Sequence, residues 1–336
     1  MPRLTLDVTT ERLRLAQPFR ISGHVFETTE VVVATVFDGT HRGRGEGGGV
    51  YYLGDDASHM RNALDGARSA IEEGLTRKNL RAILPPGGAR NAVDCALWEL
   101  EAARAGQPVW QLAGLPAPKP LLTTFTLGAD QPDIMANGAR RYVHARAIKI
   151  KLTGELDLDI ARVQAIRAAR PDVWLGVDGN QGFGIDDLDP LVAALHEQRV
   201  SLLEQPLARG READLDGYQS VVPIAGDESI LSLADVATAV GRFDVINIKL
   251  DKSGGLTEAL LMAAEATRRG LGVMVGNMIG TSLAMAPAFV LGQLCEVVDL
   301  DGPTFLVEDR DFPVQYRDGE IWAGSEVWGA GSAAAE

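Results

Sequence analysis

From Leu121 onward the chain repeats one unit, an apolar strand followed by an amphipathic helix, and that repetition restricts the fold more than any other feature. The strand candidates are "LLTTFTL", "RAIKIKL", "VWLGVD", "SLLEQP", "PIAGDE", "DVINIKL", "LGVMVG" and "EVVDLD". Between them lie "PDIMANGARRYVHA" and predicted helices over Asp157–Arg170, Asp187–Gln198, Ala213–Ser220, Leu233–Val240, Leu256–Arg269 and Ser282–Leu294. Strands that alternate with helices in this way pair in parallel. Eight of them close into a (β/α) barrel. A doubly wound open sheet is the alternative.

The first hundred-odd residues have a different rhythm. "RLTLDVTTERLRL" alternates, "EVVVATVFDG" is β-rich, and helices are predicted over Ala57–Glu73 and Ala89–Ala105, so this part reads as an α+β unit. The run "GRGEGGGVYY" contains GxGxxG at Gly43, Gly45 and Gly48. A dinucleotide site needs a helix to begin inside that motif, and none is signalled, so the run is expected to be a flexible loop with a role as a lid. The tail "VEDRDFPVQYRDGEIW" is expected to form short strands and turns and to pack back on the N-terminal unit.

Of 336 residues, 46% are hydrophobic and 23% charged, which suffices for a large core. A net charge of −14 argues against a nucleic-acid or anionic membrane partner but leaves a small anionic substrate open. The stretch from Gly270 to Cys295 has no charged residue. Its glycines, Asn277, Thr281, Ser282, Pro287 and Gln293 divide it into a buried strand and a buried helix rather than a membrane span. The N-terminus has no apolar signal segment, and Cys95 and Cys295 are too far apart in sequence to suggest a zinc or disulfide pattern. A soluble, cytoplasmic protein with two buried thiols is expected.

Barrel chemistry gathers at the C-terminal ends of the strands. Those ends read Lys149 and Lys151, Asp178, Glu204, Asp227 with Glu228, Lys249, Asn277, and Asp299 with Asp301, at nearly constant spacing. Lysine is seldom buried without a partner, so the two inward lysines of "RAIKIKL" call for an anionic site. Asp178, Glu204 and Asp227 on three adjacent strands are hard oxygen donors suited to Mg2+. Taken singly, each reads better as a helix cap or a turn acid; three at matched spacing do not. Lys151 and Lys249 stand four strands apart on an eight-stranded barrel and therefore on opposite sides of its mouth.

The motifs "KIK" at Lys149–Lys151, "VDGN" at Val177–Asn180, "LEQP" at Leu203–Pro206, "GDES" at Gly226–Ser229 and "NIKLDKSGGLTEA" at Asn247–Ala259, in that order, resemble the muconate-lactonising subgroup of the enolase superfamily. "DLDGPT" at Asp299–Thr304 resembles the Asp-x-Asp signature of its dipeptide epimerases, the L-Ala-D/L-Glu epimerase kind included. "ARNAVDCALWELEA" is similar to the capping-domain helix. The resemblance implies an N-terminal α+β capping domain over residues 1–117, completed by 305–336, and a modified (β/α)7β TIM-like barrel over 118–304. It implies Mg2+ on Asp178, Glu204 and Asp227 and acid/base catalysis by Lys151 and Lys249, a general pattern of this superfamily. By the same resemblance Lys149 acts beside Lys151 and helps hold the substrate carboxylate, Met278 is a substrate contact, and Asn180, Glu228 and Lys252 support the site from behind.

The leading expectation is therefore epimerisation of a dipeptide at the α-carbon of its C-terminal residue. N-acylamino acid racemase, o-succinylbenzoate synthase and muconate cycloisomerase activities are the alternatives within the fold. A Schiff-base aldolase does not need three metal-type carboxylates. Asp299 and Asp301, at i and i+2, suit the ammonium group of a free dipeptide, although Asp301 also reads as the first residue of a "DGP" turn. Relatives of the L-Ala-D/L-Glu type carry an arginine after a "PF-x-I" strand to meet the glutamate side chain. Here Phe26 stands at the matching place, which favours a non-acidic second residue unless Arg20 or His24 supplies the charge. Homo-oligomerisation is left open.

Overall fold

The computed structural model describes residues 3–21 and 24–330. In the N-terminal unit β1 (Thr5–Ile21), β2 (His24–Phe37) and β3 (Arg42–Gly48) form an antiparallel sheet. It is followed by α1 (Ala57–Glu72), α2 (Arg77–Ile83), α3 (Gly88–Ala105) and the single turn α4 (Val109–Leu112). Valines on β2 and the apolar faces of α1 and α3 form a core of their own, with Val32, Val36, Met60, Leu64, Ile71 and Leu100 fully buried. β3 pairs only with Val31–Phe37 of β2. Beyond that point the β1–β2 ribbon projects without a third strand, and its Phe19↔Phe26 pair reaches the barrel mouth.

The glycine run is not a flexible lid. It is β3, packed flat on α3. Side chains alternate along a strand while a helix presents one face every fourth residue, and here the two periods meet. A Cβ at Gly43, Gly45 or Gly47 would strike the carbonyl oxygen of Ala96, Ala92 or Gly88 respectively. Glycine is required because the helix backbone occupies the space a side chain would take.

The second unit runs β4 (Leu121–Leu122), β5 (Thr124–Leu127), α5 (Pro132–Arg141), β6 (Ala147–Lys151), α6 (Leu156–Ala169), β7 (Trp174–Asp178), α7 (Ile185–Glu197), β8 (Leu202–Glu204) and β9 (Ile224–Gly226). It continues through α8 (Val236–Ala239), β10 (Val245–Lys249), α9 (Leu250–Ser253), α10 (Leu256–Arg269), β11 (Gly272–Gly276), α11 (Ser282–Gly292) and β12 (Val297–Val298). β5 to β12 pair in sequential order, all in parallel, as expected for a (β/α)7β barrel. The helix predicted over Ala213–Ser220 is only a 3-10 turn at Glu212–Leu215. Leu202, Ala225, Val245 and Met274 form a separate apolar cluster within the sheet.

No backbone ladder joins β5 to β12. Side chains close that seam: Thr124 Oγ1 donates to Asp299 Oδ1 at 2.5 Å, the Thr126 N–H to Asp301 Oδ2 at 2.6 Å, and the Leu300 N–H to Thr123 Oγ1 at 3.0 Å. The tail touches both units. Val307 N–H donates to the Arg14 carbonyl and Arg310 pairs with Glu11 and Glu46, yet β13 (Gln315–Arg317) and β14 (Glu320–Trp322) add to β4 rather than to the N-terminal sheet.

The cap is fixed to the barrel through α3 and the segment after β10. Asp94 Oδ2 accepts the Thr257 N–H at 2.9 Å, Trp98 Nε1 donates to Thr257 Oγ1 at 3.0 Å, and Asp251 Oδ1 accepts from Gly48 N–H at 2.8 Å and Asn91 Nδ2 at 2.9 Å. The uncharged stretch after Gly270 forms β11 and the wholly buried α11. Among the described residues no helix is long and apolar enough to cross a membrane.

Gly45→Ala tests the strand–helix contact. Overpacking of this kind costs about 1–3 kcal/mol, so the variant should melt several degrees below the wild type. An unchanged melting temperature would mean that β3 and α3 are not held this closely.

Candidate active site and metal centre

Parallel register sets the strand-end residues side by side. Lys151 lies opposite Asp178 and Asp178 opposite Glu204, so their side chains leave the sheet at one height. Each carboxylate of Asp178, Glu204 and Asp227 offers an oxygen within 4.8 Å of the other two, and all three groups are buried.

The lysines neutralise this cluster unevenly. Lys149 Nζ lies 2.6 Å from Glu204 Oε2, 2.9 Å from Asp299 Oδ2 and 3.3 Å from Asp178 Oδ2. Lys151 Nζ is 2.6 Å from Asp178 Oδ2, Lys249 Nζ 2.7 Å from Asp227 Oδ2, and Lys252 pairs with the other oxygen of Asp227. Burial alone would raise the Asp227 carboxyl, but Lys249 and Lys252 outweigh it and hold it far below the usual range. Burial and then the Asp178 charge push Glu204 up to about 7; burial, Asp227 and Asp178 push Glu228 up to about 8. Four buried lysines thus face six buried carboxyl groups, those of Asp178, Glu204, Asp227, Glu228, Asp299 and Asp301.

Four buried oxygens in this cluster make no hydrogen bond: Asn180 Oδ1, Glu204 Oε2, Glu228 Oε2 and Asn247 Oδ1. Glu204 Oε2 has Lys149 in ion-pair contact but not in hydrogen-bond geometry. An excess of carboxyl groups over lysines, a clustered carboxylate triad and acceptors that make no hydrogen bond all fit a hard divalent cation, and the oxygen-only donor set fits Mg2+. The Asn180 N–H donates to Asp178 Oδ1 at 2.9 Å, and its side chain to Glu228 at 3.3 Å. Asn247 Nδ2 donates to Glu204 Oε1 at 2.8 Å and so orients that carboxylate from behind.

A cavity of about 310 Å³ opens above the triad, at the small end for ligand clefts. Lys151, Lys249, Asn180, Asp227 and Glu228 line its floor; Phe19, Phe26, Tyr51, Tyr52, Met278 and Ile279 line its walls. Phe26 reaches it because Phe19 and Phe26 are cross-strand partners on one face of the ribbon, and Phe26 meets Tyr51 edge-on at 5.6 Å. Arg20 follows Phe19, so alternation turns it away. It lines a second cavity with Arg141 and Thr126. The side chain of His24 lies outside the described residues.

The remaining candidates sit elsewhere. Lys149 is buried among carboxylates, and Asp299 and Asp301 are engaged on the seam. Burial and the neighbouring Asp299 raise the Asp301 carboxyl to about 7. Sequence reasoning missed Tyr51, Tyr52 and Ile279. The aromatic pair directly after the glycine strand was the available signal.

Comparison with known proteins agrees with this geometry. The enolase C-terminal domain-like family model matches residues 134–331, and the mandelate racemase/muconate lactonizing enzyme N-terminal domain model matches residues 3–114. The chain is 37% identical to the L-Ala-D/L-Glu epimerase of Escherichia coli (strain K12), over 94% of this chain and 99% of that one. It is 39% identical to the N-acetyl-D-glutamate racemase of Pseudoalteromonas sp, over 71% of this chain and 75% of the other. A crystal structure of an enolase family member from Agrobacterium tumefaciens, with homology to dipeptide epimerases and with bound sodium and L-Ala-L-Glu, superposes with a TM-score of 0.92. It has 40% sequence identity and covers 97% of this chain and all of that one.

Mg2+ should raise the melting temperature, since a ligand held only by the folded state stabilises it by about 2.7 kcal/mol at a hundred times its Kd. Glu204→Gln should abolish the Mg2+-dependent rise, and because it also breaks the buried pair with Lys149 it should lower the metal-free value. An equal Mg2+ response in variant and wild type would exclude Glu204 as a ligand.

Proposed function

The chain belongs to the enolase superfamily, to its mandelate racemase/muconate lactonizing enzyme group, and from that premise we propose that it is a Mg2+-dependent dipeptide epimerase. The observation that carries the reading is the pair of lysines on β6 and β10, which line one cavity from opposite sides above a carboxylate triad. Epimerisation requires a proton to leave one face of a carbon and return to the other. A single base cannot reach both faces of a fixed substrate. Lys151 and Lys249 can.

In this reading Asp178, Glu204 and Asp227 hold Mg2+, with Asn180, Glu228, Asn247 and Lys252 bonded behind them. The chemistry that Mg2+ supplies when bound is neutralisation of charge on the substrate carboxylate. One lysine, as the free amine, takes the α-proton; the other, as the ammonium, donates to the opposite face, and the roles exchange for the reverse reaction. Asp178 and Asp227 hold the two Nζ atoms in position through contacts of 2.6 and 2.7 Å. Lys149 offsets the charge of Glu204 and Asp299 and stiffens the base of the cavity.

The walls set the side-chain preference. Phe19, Phe26, Tyr51 and Ile279 are apolar or aromatic, and the acids Glu30 and Asp55 share the rim. A carboxylate side chain against those walls would be desolvated with no cation among the described wall residues to face it. An apolar second residue fits better.

The second reading, N-acylamino acid racemisation, is favoured by one observation. Asp299 and Asp301 are tied to Lys149, Thr124 and Thr126 instead of lining the cavity, so a neutral acyl nitrogen suits the site as well as an ammonium group does.

In D2O with Mg2+, L,L-dipeptides should gain one deuteron at the C-terminal α-carbon and epimerise. Lys151→Ala and Lys249→Ala should both stop epimerisation, each keeping at most slow exchange from one enantiomer. Normal epimerisation by either variant would refute the two-base assignment.

The kcat/KM for L-Ala-L-Leu should exceed that for L-Ala-L-Glu by about tenfold, or ~1.4 kcal/mol. The reverse order would show that Phe26 does not govern the preference. Faster turnover of N-acetyl amino acids than of any free dipeptide would select the second reading.

A further inference from the structure

The chain has five tyrosines. Three give their hydroxyl to a protein acceptor: Tyr316 to the Leu300 carbonyl at 2.6 Å, Tyr218 to Asp189 Oδ1 at 3.1 Å and Tyr142 to the Thr126 carbonyl at 3.3 Å. Tyr51 packs edge-on against Phe26 and against Tyr52. Tyr52 differs from the others. Its hydroxyl is shut off from solvent and has no hydrogen-bond partner among the described residues, while the residue borders the cavity above the carboxylate triad.

A buried hydroxyl without a partner is unfavourable, and native proteins satisfy the great majority of such groups. Packing alone does not explain this one, because phenylalanine would fill the same space without the polar atom. The sign of the unmet bond is informative. The side-chain atoms around the triad that make no hydrogen bond, on Asn180, Glu204, Glu228 and Asn247, are all oxygens that accept and so suit a cation. Tyr52 brings an O–H to the same region. Burial and the neighbouring Asp227 and Glu228 hold its pKa above the ordinary phenol value, so it is protonated at neutral pH and its unmet capacity includes a donor. A donor suits an anion.

We propose that Tyr52 is a substrate-binding residue that donates a hydrogen bond to a carboxylate oxygen of the bound substrate. The proposal rests on the reading of the cavity as the site for a carboxylate-bearing dipeptide or N-acylamino acid. It accounts for an aromatic residue at this point of the "VYYLGDD" turn and for the retention of its hydroxyl where the fold makes no use of it. A contact made equally to the bound substrate and to the transition state changes KM and leaves kcat.

Tyr52→Phe removes one oxygen and keeps the ring. With Mg2+ and the best dipeptide or N-acylamino acid, KM should rise about tenfold with kcat within about threefold of wild type. The melting temperature without substrate should be equal to or above that of the wild type, since an unsatisfied buried group is lost. Tyr316→Phe is the contrast: its hydroxyl is bonded, so its loss should lower the melting temperature. An unchanged KM in Tyr52→Phe, or a melting temperature that falls as in Tyr316→Phe, would overturn the proposal and make the hydroxyl structural or idle. A wild-type enzyme inactive on every dipeptide and N-acylamino acid would overturn the functional reading, and this proposal with it.

Discussion

The mouth of the barrel is organised by charge that cannot be left alone. Six carboxyl groups and four ammonium groups are buried within a few strand ends of one another. Breaking a buried ion pair by removing one partner costs about 3–5 kcal/mol, so each member depends on the placement of the rest. Lys149 is the common partner, in contact with three carboxylates from three different strands. It ties the carboxylate triad to the seam through Asp299, and the cluster is therefore at once the floor of the cavity and a closure device. A barrel whose first and last strands share no backbone ladder needs such a device.

The cap depends on the opposite kind of contact, one in which side chains are absent. Alternate glycines on β3 let the strand lie against the backbone of α3, and α3 in turn docks through Asn91, Asp94 and Trp98 on the segment that follows β10. That chain of contacts carries the base of the β1–β2 ribbon to a fixed place, and the ribbon's outer end then brings Phe19 and Phe26 over the lysines. The position of this aromatic wall thus follows from close packing some distance away. Glu46 on β3, buried beneath Thr281 and Arg310, links the same sheet to the loop that carries Met278 and Ile279.

One expectation failed for a local reason, and the acid pair has partners that no local pattern shows. The glycine run carried the composition of a loop, and nothing in the sequence marks a glycine as facing a helix carbonyl rather than solvent. Asp299 and Asp301 read as an acidic pair suited to an ammonium group, and strand alternation gives the face of a residue but not its partner. Their partners, Thr124, Thr126 and Lys149, are far away in sequence. The strand-end residues Lys151, Asp178, Glu204, Asp227 and Lys249 were legible because a repeating strand–helix unit translates spacing directly into height on the barrel.

By itself the sequence determined the strand order, the barrel class, the residues at the strand ends and the opposition of the two lysines, because each of these depends only on the period of one repeating unit. Three matters were decided by tertiary structure. The side of the ribbon that faces the cavity depended on the Phe19↔Phe26 register, the partners of the acid pair on closure of the seam, and the burial of the Tyr52 hydroxyl without an acceptor on the docking of the cap. The reason is common to all three: register, closure and docking bring together atoms from separate elements, and no local pattern encodes the distance between them.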